Sequence, residues 1–485
     1  MMVAAKTPAL TRREWLILPI GLGLALLITR LEATSALLFL ALSLSGYLLF
    51  IYDKLHWALW AFLWLVAGSK SAATMRFNLG PFNLYTTDLG IGFLLFAWGL
   101  RVLTRKPIVE SAHLGRSLAR YALPAFVFLF TVVLSMLLGL VEGRSYRQAI
   151  GFGRPFFYLV LIPAVAALTR LPQRILPLMW GLIPVGFYLT GEGIYRLVTG
   201  RGLELVSPML STGGFRAIGG SASVFLAFGL LACLSFWVYE RGFSFRQILL
   251  LLATGLLGFG VLISMTRMTW VGLLVSVALL PCSVPRSLRR KATKRLIMLL
   301  ALVMVGLAVL FLTLGPQLRQ VIIWRIESLL FLSEIGDSSM QWRLAAWRSA
   351  LAYIKRSPLV GVGYGQKLFW QVAGQVVIFP EPHNSYLWIG MSSGLIGLGA
   401  FLWLHYTFFR HLFQVRSMLT VPLYHAILTW VFTSYVTLLT VSLFARLLAA
   451  NYVTPFYWSF IGLVGGLELA SGETAEGNDE CGRPV

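Results

Sequence analysis

The chain has 485 residues, of which 58% are hydrophobic and only 12% charged, with a mean hydropathy of +0.80. That mixture excludes an ordinary soluble domain. The net charge of +22 would suggest nucleic acid as the partner of a soluble protein. Here the basic residues sit in the breaks between apolar runs, where membrane orientation and anionic headgroups or substrates account for them, and no nucleic-acid-binding motif is present.

Apolar runs long enough to cross a bilayer recur along the whole length. In chain order they are expected at 15–31, 34–51, 55–69, 82–101, 121–141, 155–169, 173–195, 220–239, 246–265, 268–284, 296–315, 385–408, 419–442 and 453–470. The fold class is therefore all-α: a polytopic integral membrane protein of about 12–14 transmembrane helices, with a long outer loop containing short amphipathic helices. The basic segment Met1 to Trp15 lacks a small-residue cleavage site, so the first run is expected to be a retained helix. The expected organisation is a helix bundle over 1–315, an outer catalytic loop over 316–384, C-terminal helices over 385–470 and a disordered cytoplasmic tail over 471–485.

Orientation follows from the loops. With both termini in the cytoplasm, 22 Lys and Arg fall inside and 18 outside, and seven of the outer ones lie in the long loop, which does not count. The remaining ratio of 22 to 11 supports this placement. It also sorts the six histidines: His56, His113, His405, His411 and His425 fall on or near the cytoplasmic side, and His383 alone faces out.

His383 stands just before the helix that begins near Ser385, with Asn384 or Ser385 as its cap. The positive end of a helix disfavours imidazolium, so a neutral imidazole able to act as a base is expected. The plainer reading, a histidine that merely caps a helix, carries comparable weight. The outer face is also rich in arginine: Arg144, Arg147, Arg154, Arg201, Arg216, Arg267, Arg319, Arg325, Arg343 and Arg348. Positive charge on the translocated side opposes the usual bias, and an anionic substrate would supply a reason, because guanidinium pairs with phosphate bidentately. For most of these residues headgroup contact or snorkelling suffices. Arg216 and Arg267 differ, since each sits in a short break, Thr212-Gly-Gly-Phe-Arg216-Ala-Ile-Gly-Gly220 and Ser264-Met-Thr-Arg267.

Arg343 is expected to open an amphipathic helix with Leu344, Trp347, Leu351 and Ile354 as its apolar stripe, followed by Gly361-Val-Gly363-Tyr-Gly365 as a flexible turn. Asp88, near the outer end of its helix, is an intramembrane ionisable group and so a functional candidate, with pairing to a nearby arginine as the equal alternative. No paired carboxylates or second outer histidine support a metal site. The three cysteines, Cys233, Cys282 and Cys481, share no loop, and no nucleophile-elbow pattern supports a serine hydrolase.

His383-Asn384, followed nine residues later by Gly394-Leu-Ile-Gly397, resembles the O-antigen ligase and O-antigen polymerase superfamily. Arg343-Leu-Ala-Ala-Trp347 with Ser357-Pro358-Leu-Val-Gly361-Val-Gly363 looks like that family's loop arginine and glycine turn. Gly214-Phe-Arg216-Ala-Ile-Gly219 and Thr266-Arg267 look like its earlier outward arginines. The resemblance implies a glycosyltransferase of the GT-C type at the outer face of the bacterial inner membrane, inverting and independent of metal or other cofactors. Its donor would be a polyprenyl-pyrophosphate-linked glycan and its acceptor a glycan or lipid A core. By the match, His383 is the base and Arg343, Arg216 and Arg267 hold the pyrophosphate. Apart from the match, Asn384, Trp347, Asp88 and Arg348 are secondary candidates. The alternatives are a protein O-oligosaccharyltransferase of the same superfamily and a polysaccharide or lipid-linked glycan transporter. The transporter is less favoured because no internal repeat of the kind common in transporters is present.

Overall fold

The computed structural model describes residues 55–79, 82–104, 110–200, 203–204, 215–240, 244–313, 319, 323, 338–372, 375–379 and 381–480. The expected spans 15–31 and 34–51 lie outside these residues. A helix occupies every other expected position: α1 Leu55–Gly68, α3 Thr86–Thr104 after the short α2 Lys70–Ala73, α4 Glu110–Val141 and α5 Tyr146–Gly153. A 3-10 stretch, Arg154–Val160, leads into α6 Leu161–Leu168, which is followed by α7 Leu176–Val198, α8 Ala222–Tyr239, α9 Phe245–Ile263, α10 Arg267–Ser283 and α11 Arg286–Thr313. Then come α12 Ser338–Arg356, α13 Ser385–Met418, α14 Pro422–Val441 and α15 Thr454–Glu480. Among the described residues, six stretches are long and apolar enough to cross a membrane: Leu114–Val141, Tyr146–Leu168, Ala222–Tyr239, Phe245–Ile263, Ser385–Met418 and Pro422–Val441. The chain is an all-α polytopic membrane protein.

Its centre is α8, where every residue from Ser223 to Val238 is buried. A helix apolar on all sides belongs in the middle of a bundle, and α8 packs against α7, α9 and α14. Trp430 of α14 donates its indole N–H to the Phe228 carbonyl of α8 at 3.1 Å. Around this core α10 lies along α14, α13 along α4, and α15 along α6. Of the histidines, His411 sits with Tyr121 and Glu468, and His425 stacks on Tyr239 at the C-terminal end of α8. Both lie at the end of the bundle opposite His383.

Three expectations are corrected. Helix α15 continues to Glu480, into the stretch read as a disordered tail; its Glu and Ala residues are good helix formers. Helix α12 starts at Ser338, so Arg343 lies within it rather than opening it, and the buried face is Ala345, Ala346 and Ala350, while Leu344 and Leu351 are exposed. The small residues let α12 lie close on α13, where Ile354 packs over Gly390. Finally, the outer loop expected to contain short amphipathic helices also holds a hairpin, β5 (Leu368–Val372) with β6 (Gln375–Phe379), after the small pairs β1 (Arg76–Leu79) with β2 (Phe82–Tyr85) and β3 (Leu203–Glu204) with β4 (Phe215–Arg216).

Candidate active site

Two loops and α12 converge on the N-terminus of α13. Asn384 caps that helix, its side-chain oxygen accepting from the backbone N–H groups of Tyr386 and Leu387, each at 2.9 Å. Ser385 then ties the helix start to the α14–α15 connection. Its N–H donates to the Ser442 carbonyl at 2.8 Å and its hydroxyl to the Ala445 carbonyl at 2.9 Å. On the other side, Trp347 of α12 donates its indole N–H to the Pro382 carbonyl at 2.9 Å, and its ring lies 6.4 Å from that of Phe444. Three segments distant in sequence are thus fixed around one residue, His383.

The backbone of His383 is left-handed, with φ 49°, and the other non-glycine residue in that region among the described residues is Met265, φ 51°, two positions before Arg267. A side chain in this region is disfavoured and persists only where its surroundings hold it there. Both instances fall in motifs that the sequence singles out.

The His383 side chain stays 39% exposed. Loss of hydration, then the charges of Arg343 and Arg446, lower its pKa from 6.5 to about 4. Loss of hydration and the two guanidinium groups thus favour the neutral imidazole. Glu381 Oε1 stands 3.9 Å from His383 Nε2, yet the closer partner of that carboxylate is Arg446, whose Nε is 2.5 Å from Oε2. Burial pushes the Glu381 carboxyl up, and Arg446 acts against that rise. The Arg446 guanidinium also lies over the rings of Phe152 at 4.7 Å and Trp388 at 5.1 Å.

Arg446 is the residue that sequence reasoning missed. It stands alone in a short connection with no motif around it, and only the fold brings it to His383. The one available signal was its place on an outward loop by the same count that set His383 apart.

The Gly361–Gly365 turn is not flexible. Arg144 donates to the carbonyls of Val362 at 2.5 Å, Gly363 at 2.8 Å and Tyr364 at 3.2 Å, and to Gln366 Oε1 at 2.8 Å. Backbone bonds from Val362 and Gly363 to Met391 and Ser392 dock the turn against α13. Helix α13 opens there at Gly394, φ 68°, ψ −175°, and Leu395 donates instead to the Pro358 carbonyl at 2.7 Å. A Cβ on Gly394 would stand 2.0 Å from the Leu359 carbonyl oxygen. The two glycine motifs are thus halves of one joint, and Arg144 is part of its frame.

The remaining candidates are more scattered. Arg348 is exposed, on a different side of α12 from Arg343. Asp88 pairs with Arg154 at 3.0 Å and accepts from the Tyr158 hydroxyl and the Tyr85 N–H, so the pairing alternative holds. Arg267 begins α10, whose Gly272 meets Thr437 and Val441 just below the loop bearing Arg446. Arg216 lies in β4, and its side chain is outside the described residues, as are Arg201 and Arg325.

Residues 250–402 match the family model described as O-antigen ligase. No curated protein matches the chain. The matched stretch is about a third of the sequence and contains Arg267, Arg343, His383 and Gly394, whereas Arg216, Asp88 and Arg446 lie outside it. This domain match, with the apolar helices around it, supports a membrane glycan-processing enzyme of the O-antigen ligase/polymerase superfamily.

Proposed function

We propose that the protein is an inverting glycosyltransferase that transfers or polymerises a polyprenyl-diphosphate-linked glycan at the outer face of the bacterial inner membrane. The observation that carries this reading is His383, held in a left-handed backbone between the Asn384 cap and the Trp347–Pro382 contact and under the charge of Arg343, within the ligase-family segment. An acceptor hydroxyl attacks the anomeric carbon while the bond from that carbon to the diphosphate oxygen breaks. His383 takes the hydroxyl proton, and the electron pair leaves with the polyprenyl diphosphate. A sugar hydroxyl is a weak nucleophile, so a positioned base contributes about 10²–10⁴-fold. The leaving group gains negative charge in a low-dielectric site, where fixed guanidinium groups stabilise it without a metal. Arg343, Arg267 and Arg216 are assigned that role, and no cofactor is required. Asn384 and Trp347 hold the base in place through the cap and the Pro382 carbonyl.

The test is transfer by purified protein from a lipid-diphosphate-linked glycan. His383→Ala should fold normally and form no product, and near-normal product from that variant removes His383 as the base. The acceptor is read from the product: glycan on lipid A core marks a ligase, longer glycan still on the polyprenol marks a polymerase, and glycan on protein marks the oligosaccharyltransferase.

A further inference from the structure

This inference rests on the reading above, in which a diphosphate occupies the His383 site. We propose that Arg446 is a further ligand of the donor diphosphate and that Glu381 is its positioning residue. Arg446 is held from three directions: Glu381 takes its Nε–H, and the rings of Phe152 and Trp388 lie against the guanidinium. Yet its Nη1 is buried and has no hydrogen-bond partner among the described residues. A buried charged donor left unused is costly, and because the Arg446 side chain keeps 22% of its surface open, a small shift of the groups over Nη1 exposes it. An arriving phosphate oxygen satisfies it, in the charge-assisted geometry that a planar guanidinium provides.

The placement has an electrostatic consequence. Among the described residues, charged groups that face His383 include Arg343 from α12, Arg446 from the α14–α15 connection and Glu381 from its own loop. A diphosphate bound to the two arginines offsets their charge, so the imidazolium that forms as the acceptor loses its proton becomes easier to accommodate. Donor binding thereby strengthens the base, and by reciprocity protonation of His383 tightens the donor.

The experiment uses the full chain in nanodiscs with farnesyl diphosphate as probe, competed separately by inorganic pyrophosphate, farnesol and phosphatidylglycerol. The wild type binds the probe, and pyrophosphate alone displaces it. Arg446→Gln weakens binding about tenfold or more. Arg446→Lys, which keeps a charge near the loop contacts, weakens it several-fold because a point charge replaces a stacked fork. Glu381→Ala behaves like the lysine variant, and Glu381→Gln, which keeps an acceptor for Nε, recovers most of the affinity. Site-resolved acylation of His383 across pH, read by mass spectrometry, moves its midpoint upward when pyrophosphate is added to the wild type. The shift is smaller in Arg446→Lys. Unchanged affinity in Arg446→Lys and Arg446→Gln, with the wild type binding well, overturns the role of Arg446 and leaves the donor reading standing. Failure of the wild type to bind any diphosphate overturns both. Displacement by phosphatidylglycerol as effective as by pyrophosphate makes the site a general headgroup contact and also overturns the proposal.

Discussion

With its pKa held at about 4 by burial and by Arg343 and Arg446, His383 keeps its proton-accepting form at every pH above that value. The kcat/KM for transfer, which reports the free enzyme, should therefore be flat from about pH 6.5 downward to about 5, and an acid limb near 6.5 would show an ordinary solvated imidazole. The same shift acts on stability. Between 6.5 and about 4 the unfolded chain binds a proton that the folded site refuses, so stability from this group falls as pH drops through that window. Arg343→Lys should cut turnover severely if the diphosphate is gripped by the planar fork; full activity in a steady-state assay would mean that charge alone suffices. At this scale the sequence was legible where a motif carried the residue. His383, Arg343, Trp347 and Asn384 were singled out as candidates that way. Arg446 was not, because its meaning comes from contacts with Glu381, Phe152 and Trp388 across long chain separations.

Among the elements, the joint between the glycine turn and α13 decides whether the site exists. Gly394→Ala should destabilise the protein by about 2 kcal/mol or more, combining left-handed strain with a clash against the Leu359 carbonyl. Thermal unfolding in detergent checks this, and an unchanged midpoint would mean that the joint adapts. The motif glycines were visible in the sequence, but their purpose was not. Read alone, Gly361, Gly363 and Gly365 suggest freedom, whereas in the fold Arg144 and the opened turn of α13 hold them fixed. The β5–β6 hairpin was also there to be read: Leu368-Phe-Trp-Gln-Val372 and Gln375-Val-Val-Ile-Phe379 are strand-like runs around Ala373-Gly374. The amphipathic stripe of α12 was misplaced because alanine, not leucine, makes its contact with α13.

Over the whole molecule, hydropathy gave every helix position that the described residues test, since the bilayer sets span lengths directly. Charge in the loops set His383 apart from the other histidines, and in the fold His411 and His425 make contacts of their own, with Glu468 and Tyr239. What hydropathy leaves open is which loops meet, and the site is made where two of them and α12 do. If the leaving group is stabilised by guanidinium groups alone, transfer should continue in EDTA, and a loss of activity restored by Mg²⁺ would contradict that. The most direct test of the central claim is glycan transfer from a lipid-diphosphate donor by purified wild type and His383→Ala side by side. The account predicts product from the first and none from the second at equal thermal stability; equal product from both would contradict it.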